Sequence, residues 1–391
     1  MSITHKPVII LFLFLFLTTF ILTSAADAAG NIRFGQMEVH PFLSLKEVFS
    51  DNIYSTSTEE KSDSITVTTP GLKLLWPFGM HRLEAEYYAI DRRHHTYRGE
   101  NTTDEHAKGL LDLKFGSFFG LTLGDVYAKG HEPRGSSATG FIEVFRTNAA
   151  FASATYQLTG RSKVQVDYTA TSWNFMASNF RDRDEDLVSG YIYYRFLPKT
   201  SAFIEYDRKK VDFTPATTGL DNAMDTLSFG FTWDMTGRSK GTIKAGRTAK
   251  DFEDPAEKDF TVGTWSVTVN HNFTDLTSAN IIGRRDVNET NFSGTSYFIT
   301  TGAAVDLTHK FASKMAFLVR GSYGTDKFSN AVAPSTTVRE DETNMVGAGL
   351  KYFMKDWLEF GADYYKRTRD SNIDVNDYHE TQYVLSANMS F

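Results

Sequence analysis

The sequence predicts an all-β protein, a transmembrane antiparallel β-barrel of about 18 strands behind a cleaved signal peptide. Three observations carry this expectation. The first 28 residues have the layout of an export signal, and the remainder alternates apolar and polar residues with a period of two. Between the alternating segments, short turns take turns with long polar connections.

Composition narrows the field first. Of 391 residues 41% are hydrophobic and 14% aromatic, and the formal net charge is -7. A chain with no Lys/Arg excess is a poor partner for phosphate backbones, so nucleic acid is not expected. So apolar a composition also excludes a chain too polar to collapse. Zero cysteines remove disulfide frameworks, thiolate metal sites and cysteine nucleophiles, and suit passage through an oxidising periplasm.

The N-terminal segment reads as an address. His5 and Lys6 precede the apolar run from Pro7 to Thr23, followed by Ser24-Ala25-Ala26-Asp27-Ala28. This is the basic, apolar, small-residue order of a signal peptide, with cleavage expected after Ala28 or, nearly as well, after Ala26. The competing reading is a membrane anchor, but a run of about 17 residues is short for a span. No cysteine follows for lipid attachment, and no later apolar run suits a membrane helix. The expected division is therefore residues 1–28 as signal peptide and 29–391 as barrel.

Strands come next. Leu227-Ser228-Phe229-Gly230-Phe231-Thr232-Trp233-Asp234 puts Leu, Phe, Phe and Trp on one face and small or polar residues on the other. Trp265 to Asn270 repeats the pattern, as does the final segment with Tyr383, Leu385, Ala387, Met389 and Phe391. Strand starts near Leu83, Leu121, Val164, Ile204, Ile243, Ala279, Phe317 and Leu358 recur every roughly 36 to 43 residues, one hairpin with its loops. Turns are expected near Pro77-Phe78-Gly79, Gly116-Ser117, Thr159-Gly160-Arg161, Pro198-Lys199, Thr236-Gly237-Arg238, Phe273-Thr274, Ala312-Ser313 and Lys355. Long polar connections are expected at the other strand ends, including Gly130 to Thr139, Asn179 to Asp184 and Asp326 to Glu342. The last is expected to fold into the lumen through Ala331-Val332-Ala333-Pro334.

Aromatics cluster at the short-turn end: Trp76, Phe115, Phe118, Tyr156, Phe196, Trp233, Phe273, Phe311, Phe353 and Trp357. Rings at head-group level form a periplasmic girdle in such barrels. Phe391, last on an apolar-alternating strand, resembles the signal read by the outer-membrane assembly machinery.

A lipid-facing Lys or Arg costs about 2 to 4 kcal/mol at the midplane, so polar faces are expected to point inward. The expected lining comprises Arg82, Glu84, Glu86, Tyr88, Gln165, Asp167, Tyr191, Tyr193, Arg195, Glu205, Asp207, Lys244, Arg284, Asp286, Arg320, Glu359, Asp363, Tyr365 and Arg367. Both signs are present, which predicts a hydrated mixed lumen rather than an ion filter. Its tyrosines offer flat amphipathic faces to sugar rings, although pairing of charges and the ordinary abundance of Tyr in barrels explain them too.

His94-His95 and the charged runs Arg181 to Asp186 and Asp251 to Asp254 invite a metal reading, but solvated charge at loop tips near lipopolysaccharide is the simpler expectation. No hydrolase elbow, zinc, phosphate-loop or calcium-loop spacing occurs. No enzymatic activity, metal or cofactor is therefore expected.

Three segments of the mature N-terminus, Pro41 to Glu47, Ser50-Asp51-Asn52-Ile53-Tyr54 and Asp63 to Leu72 with Pro70-Gly71 inside, resemble the putative beta-barrel porin family associated with exopolysaccharide biosynthesis and export operons. Asp51-Asn52 suits a strand-to-loop turn, and Pro70-Gly71 suits a bulge or kink. The resemblance implies a Gram-negative outer-membrane barrel that takes part in exopolysaccharide export, with separate periplasmic export proteins as partners. A passive porin for ions or sugars is the alternative within transport. An outer-membrane hydrolase and an adhesive, plugged barrel stand behind it.

Overall fold

The structure, a computed structural model, describes residues 32–132, 134, 142–214, 219–235, 237–290, 294–331 and 336–391. The expected signal peptide lies outside the described residues.

The strands in order are β1 (Ile32–Phe34), β2 (Met37–Ser50), β3 (Asp63–Phe78), β4 (His81–His94), β5 (Thr102–Phe115), β6 (Phe119–Glu132), β7 (Glu143–Gln157), β8 (Ser162–Phe175), β9 (Arg183–Leu197), β10 (Thr200–Phe213), β11 (Asn222–Met235), β12 (Ser239–Phe252), β13 (Phe260–Asn272), β14 (Thr277–Glu289), β15 (Tyr297–Ala312), β16 (Met315–Ala331), β17 (Val338–Lys355), β18 (Leu358–Ser371) and β19 (Tyr378–Ser390). From β2 to β19 each strand pairs antiparallel with the next, and β19 pairs back onto β2. Eighteen strands of the described residues thus close a barrel. The barrel strands are 13 to 18 residues long. That exceeds the ~9–11 residues that cross a bilayer, so their ends project beyond it.

The period of about 40 residues is the hairpin period. Each expected start lies within four residues of the first residue of β4, β6, β8, β10, β12, β14, β16 or β18. Short turns join these hairpins at the inner end, where Gly79, Gly116 and Gly237 adopt positive φ of 62°, 63° and 68° that side-chain-bearing residues avoid. Short β1 pairs with Met37–Val39 on the edge of β2 that β19, ending opposite Phe42, leaves uncovered.

One local expectation is overturned and a second, the bulge or kink at Pro70-Gly71, is narrowed. Asp326 to Glu342 is not a long loop: β16 runs to Ala331 and β17 begins at Val338, so most of it is wall. Charged residues there run together along the chain and pair within the wall, as in Lys327 with Glu340 at 2.7 Å, which sequence polarity alone reads as loop. Of the Ala331 to Pro334 segment, only Ala331 is among the described residues. Pro70-Gly71 makes no bulge either. The β3–β4 ladder passes from Thr68↔Asp91 to Gly71↔Tyr88 in one register and lacks only the two intervening pairs, as a residue without N–H requires. Gly71 serves space instead. A Cβ there would lie 2.1 Å from the Phe42 ring, which rests across it beside Tyr88.

Candidate functional site: the lumen and its mouth

Alternation decides which side chains meet lipid. Val188, Ile192 and Tyr194 on β9, Ile204 and Tyr206 on β10, and Leu227 and Phe229 on β11 are exposed large side chains on one face. On the opposite face Ser189, Glu205 and Ser228 are buried. That second face is concave, because side chains on it span two strands: Arg320 of β16 reaches Asp363 of β18 at 3.0 Å and the Tyr365 hydroxyl, passing over Gly347 and Gly349 of β17.

The expected lining residues all lie on this inner face, and most are tied to neighbours. Arg82 pairs with Asp112 at 2.6 Å. Glu84 takes Lys73 and Lys108, each at 3.4 Å. Asp167 accepts from Ser153 at 2.5 Å and from Gln165 at 2.9 Å. Glu205 holds Lys244 at 2.7 Å, and Glu359 holds Lys351 at 2.8 Å. Arg284 approaches Asp286, and Arg367 approaches Glu380, at 3.7 and 3.6 Å. Arg195 sits at the inner rim and donates to the Gly160 carbonyl. Because opposite charges pair locally, the lumen carries little long-range field of one sign.

Aromatic patches interrupt this ion-paired wall. Tyr88 stacks on His106 with centroids 4.7 Å apart, next to Phe42, while Tyr191, Tyr193 and Phe203 form a second patch with Lys163 over the Tyr193 ring at 4.1 Å. Between β9 and β14 the wall holds a recess of about 340 Å3 lined by Asp207, Lys209, Lys244, Asp286 and the hydroxyls of Thr226 and Thr248. The sequence reading missed Lys73, Lys108 and Lys209. Lys209 follows Glu205 and Asp207 at period two on β10, whereas Lys73 on β3 and Lys108 on β5 are placed only by pairing opposite Glu86 of β4.

At the outer mouth, side chains fix the loops. Asn52 is fully buried and donates to the Thr56 and His379 carbonyls at 2.8 and 2.9 Å. Arg134 donates to Glu100 at 2.7 Å and lies over the Tyr54 ring. Burial and the nearby Glu100 carboxylate push the Tyr54 phenol up. Arg181 was expected to be solvated, yet it is 5% exposed and donates twice to Glu132, at 2.9 and 2.7 Å. Burial inside the mouth, invisible to composition, makes that difference. His94 and His95 diverge: the His95 ring meets Thr66 and Glu47, whereas the His94 side chain lies near Asp63 and Glu100. Among the described residues no three His, Asp or Glu are gathered to hold a metal.

Of the girdle residues, Trp76, Phe115, Phe118, Tyr156, Phe196, Phe273 and Phe311 are exposed at the inner end. Trp233 lies over Gly241 and donates to Ser239 at 2.9 Å, and Trp357 stacks on Phe391 with centroids 5.4 Å apart. Phe353 departs from the set. It pairs with Glu359 on the inner face, and Tyr352 takes the outward position, a one-residue difference that flips the face. A second belt, unforeseen, is made of tyrosines bonded to acids: Tyr168 donates to Asp186 and Tyr206 to Asp225, each at 2.6 Å.

A closed barrel of even strand number, with a polar lumen, an apolar outer face and aromatic rings at both ends, is an outer-membrane β-barrel of the porin type. The chain belongs to the family described as Putative beta-barrel porin 2, whose profile matches residues 24–391. Among solved structures it is similar to the outer membrane protein OpdK of Pseudomonas aeruginosa, with 11% identity, a TM-score of 0.47, and 90% of this chain and 99% of that chain covered. It is also similar to OprD of the same organism, with 12% identity, a TM-score of 0.46, and 94% and 97% covered. For OccAB4 of Acinetobacter baumannii the values are 11%, 0.49, and 91% and 98%. No curated protein matches the chain. This is an outer-membrane protein.

Proposed function

We propose that the barrel takes part in exopolysaccharide export across the outer membrane, as a hydrated conduit with no chemistry of its own. The observation that carries this reading is the lumen surface. Stacked aromatic patches, Tyr88 with His106 and Tyr191 with Tyr193, alternate with hydroxyls and locally neutralised ion pairs. Aromatic faces bind the C–H faces of sugar rings, and paired charges leave hydroxyl-rich chains room to slide without strong trapping. The N-terminal segments Pro41 to Glu47 and Asp63 to Leu72 add their resemblance to barrels of export operons. Lipopolysaccharide around the outer rim, the assembly machinery at Phe391 and separate periplasmic export proteins would be its partners.

The test is a clean deletion of the gene with polysaccharide assayed in the medium, on the surface and in the periplasm. Loss outside with normal uptake of small solutes supports export, and unchanged polysaccharide overturns it.

One observation favours a second reading, a passive porin for ions or sugars. The connection between β16 and β17, expected to fold into the lumen, is only 6 residues long. Purified barrel in a planar bilayer separates the two. A steady open conductance without partners favours the passive porin, and a closed barrel the export conduit.

A further inference from the structure

β13 and β14 are a hairpin through the inner turn at residues 273–276. Their ladder begins at Asn272↔Ser278 and stops at Trp265↔Arg285. Both strands nevertheless continue outward, over residues 260–264 and 286–289, and each stays paired on its other side, Phe260 with Lys250 and Glu289 with Tyr297. Five residues at ~3.4 Å each make a gap about 17 Å long in the outer part of the wall. At its foot Arg285 Nε donates to the Gly263 carbonyl at 3.1 Å, supplying by side chain a bond that β14 backbone does not make.

The outer end of β14 is drawn inward instead. Glu289 accepts from Lys250 Nζ of β12 at 2.7 Å, both side chains essentially inaccessible, and from Asn222 Nδ2 of β11 at 3.3 Å. Val287 packs on the apolar cluster Val211, Phe213, Leu220 and Met224. The 340 Å3 recess touches both lips of the gap, Thr264 and Trp265 on one side and Asp286 to Asn288 on the other.

We propose that this gap is a lateral opening through which an amphiphile with an acyl chain and an anionic head group passes between the outer leaflet and the lumen, and that the Lys250–Glu289 pair is the latch that holds it open. The foot of the gap, eight ladder pairs above the inner turn, lies at the outer edge of the bilayer, where unpaired backbone is costly, so a hairpin this short would zip to its end unless something held it apart. The buried ion pair does so. The chemistry of the route is amphiphilic: apolar Leu187, Met224 and Val287 line the recess, and exposed Arg247, in register with Gly263, stands with Arg285 at the lips of the gap on the lipid side. This inference goes beyond the polysaccharide reading and does not rest on it.

The absence of cysteine makes the test clean. Gly263→Cys with Val287→Cys would oppose each other if the ladder continued, and Val269→Cys with Ile281→Cys are opposed in the intact ladder. With the latch present, the second pair should oxidise to a bridge and the first should not. In a Lys250→Met/Glu289→Met background the first should bridge as readily as the second. Equal bridging of both pairs with the latch intact overturns the opening. For the ligand, a palmitate analogue with a diazirine at its chain end is dissolved in vesicles holding the folded barrel, and adducts are mapped by mass spectrometry. Labelling of Leu187 or Met224, both lining the recess, reduced at least fivefold in the latch variant while outward Leu227 labels equally in both, is expected. Labelling confined to outward residues in both proteins overturns the route, and equal labelling of Met224 in both overturns the latch.

Discussion

The barrel has two short seams, and they are built in opposite ways. Where β19 meets β2 the chain closes on itself across more than 300 residues, with nine pairs from Gln382↔Ser50 to Ser390↔Phe42. Where β13 meets β14 eight pairs join strands already tied by a tight inner turn. The closing seam is reinforced along its length. Ser44 donates to Asn388 at 2.6 Å, Ser50 donates to Glu380 at 2.7 Å, Asn52 caps the outer end on His379, and Phe391 N donates to the Pro41 carbonyl beneath the Trp357 ring. The hairpin seam carries its notable side-chain bond, Lys250–Glu289, across β13 rather than along it. Connectivity explains the contrast. A hairpin is held in register by its turn, so its far end is free to part, whereas a seam with no turn needs side chains to set the register.

The largest effect is expected at the closing seam. Trp357→Ala with Phe391→Ala removes the aromatic clasp where the two chain ends meet, and the amount of folded, heat-modifiable barrel in the membrane should fall at least tenfold. Cutting the Phe273 to Leu276 turn on the other seam with an inserted protease site should leave the folded amount within twofold, once the barrel has closed. If the two perturbations act alike, the seams are not different in kind.

Next in size is the latch. Glu289→Ala leaves the Lys250 ammonium buried with no carboxylate, and breaking such a pair costs about 3–5 kcal/mol. Replacing both partners by Met removes charge and desolvation together and should be within about 1 kcal/mol of the parent. Urea unfolding in vesicles reads both. A double variant as unstable as the single one would mean that the pair, and not merely its balance, supports the wall.

Much of the barrel was legible in the sequence, and the limits of that reading are physical. The period-two alternation, the hairpin period and the turn glycines are local, so strand count, turn positions and the inner face of residues such as Glu205 and Lys244 follow from spacing. Phe353 shows the resolution of such reasoning: one residue of register moves a ring from lipid to lumen. The gap above Trp265 had no local signature at all, because Thr261, Gly263 and Val287 read as ordinary strand residues. What parts them is a contact between Lys250 and Glu289, 39 positions apart. Asp326 to Glu342 failed for a related reason, since charges that pair across strands look like loop until the partner strand is known.

The smallest effect tests whether the closing seam depends on any one of its bonds. Ser44→Ala deletes a hydroxyl that donates to Asn388 Oδ1, while Asn388 keeps its own donation to Glu359 at 3.2 Å. A neutral side-chain hydrogen bond is worth about 0.5–1.5 kcal/mol net, and Asn388 retains one partner on the inner face, so the loss should fall near the lower end. The register would still be set by Ser50 with Glu380 and by the Phe391 clasp, and urea midpoints should shift slightly with no change in slope. The matching control is Tyr206→Phe on the outer belt, which removes a bond of the same length to Asp225 but touches neither seam. If Ser44→Ala costs no more than Tyr206→Phe, the seam's reinforcement is distributed. If it costs several times more, register at the closing seam hangs on this pair, and the comparison with the turn-held hairpin becomes sharper still.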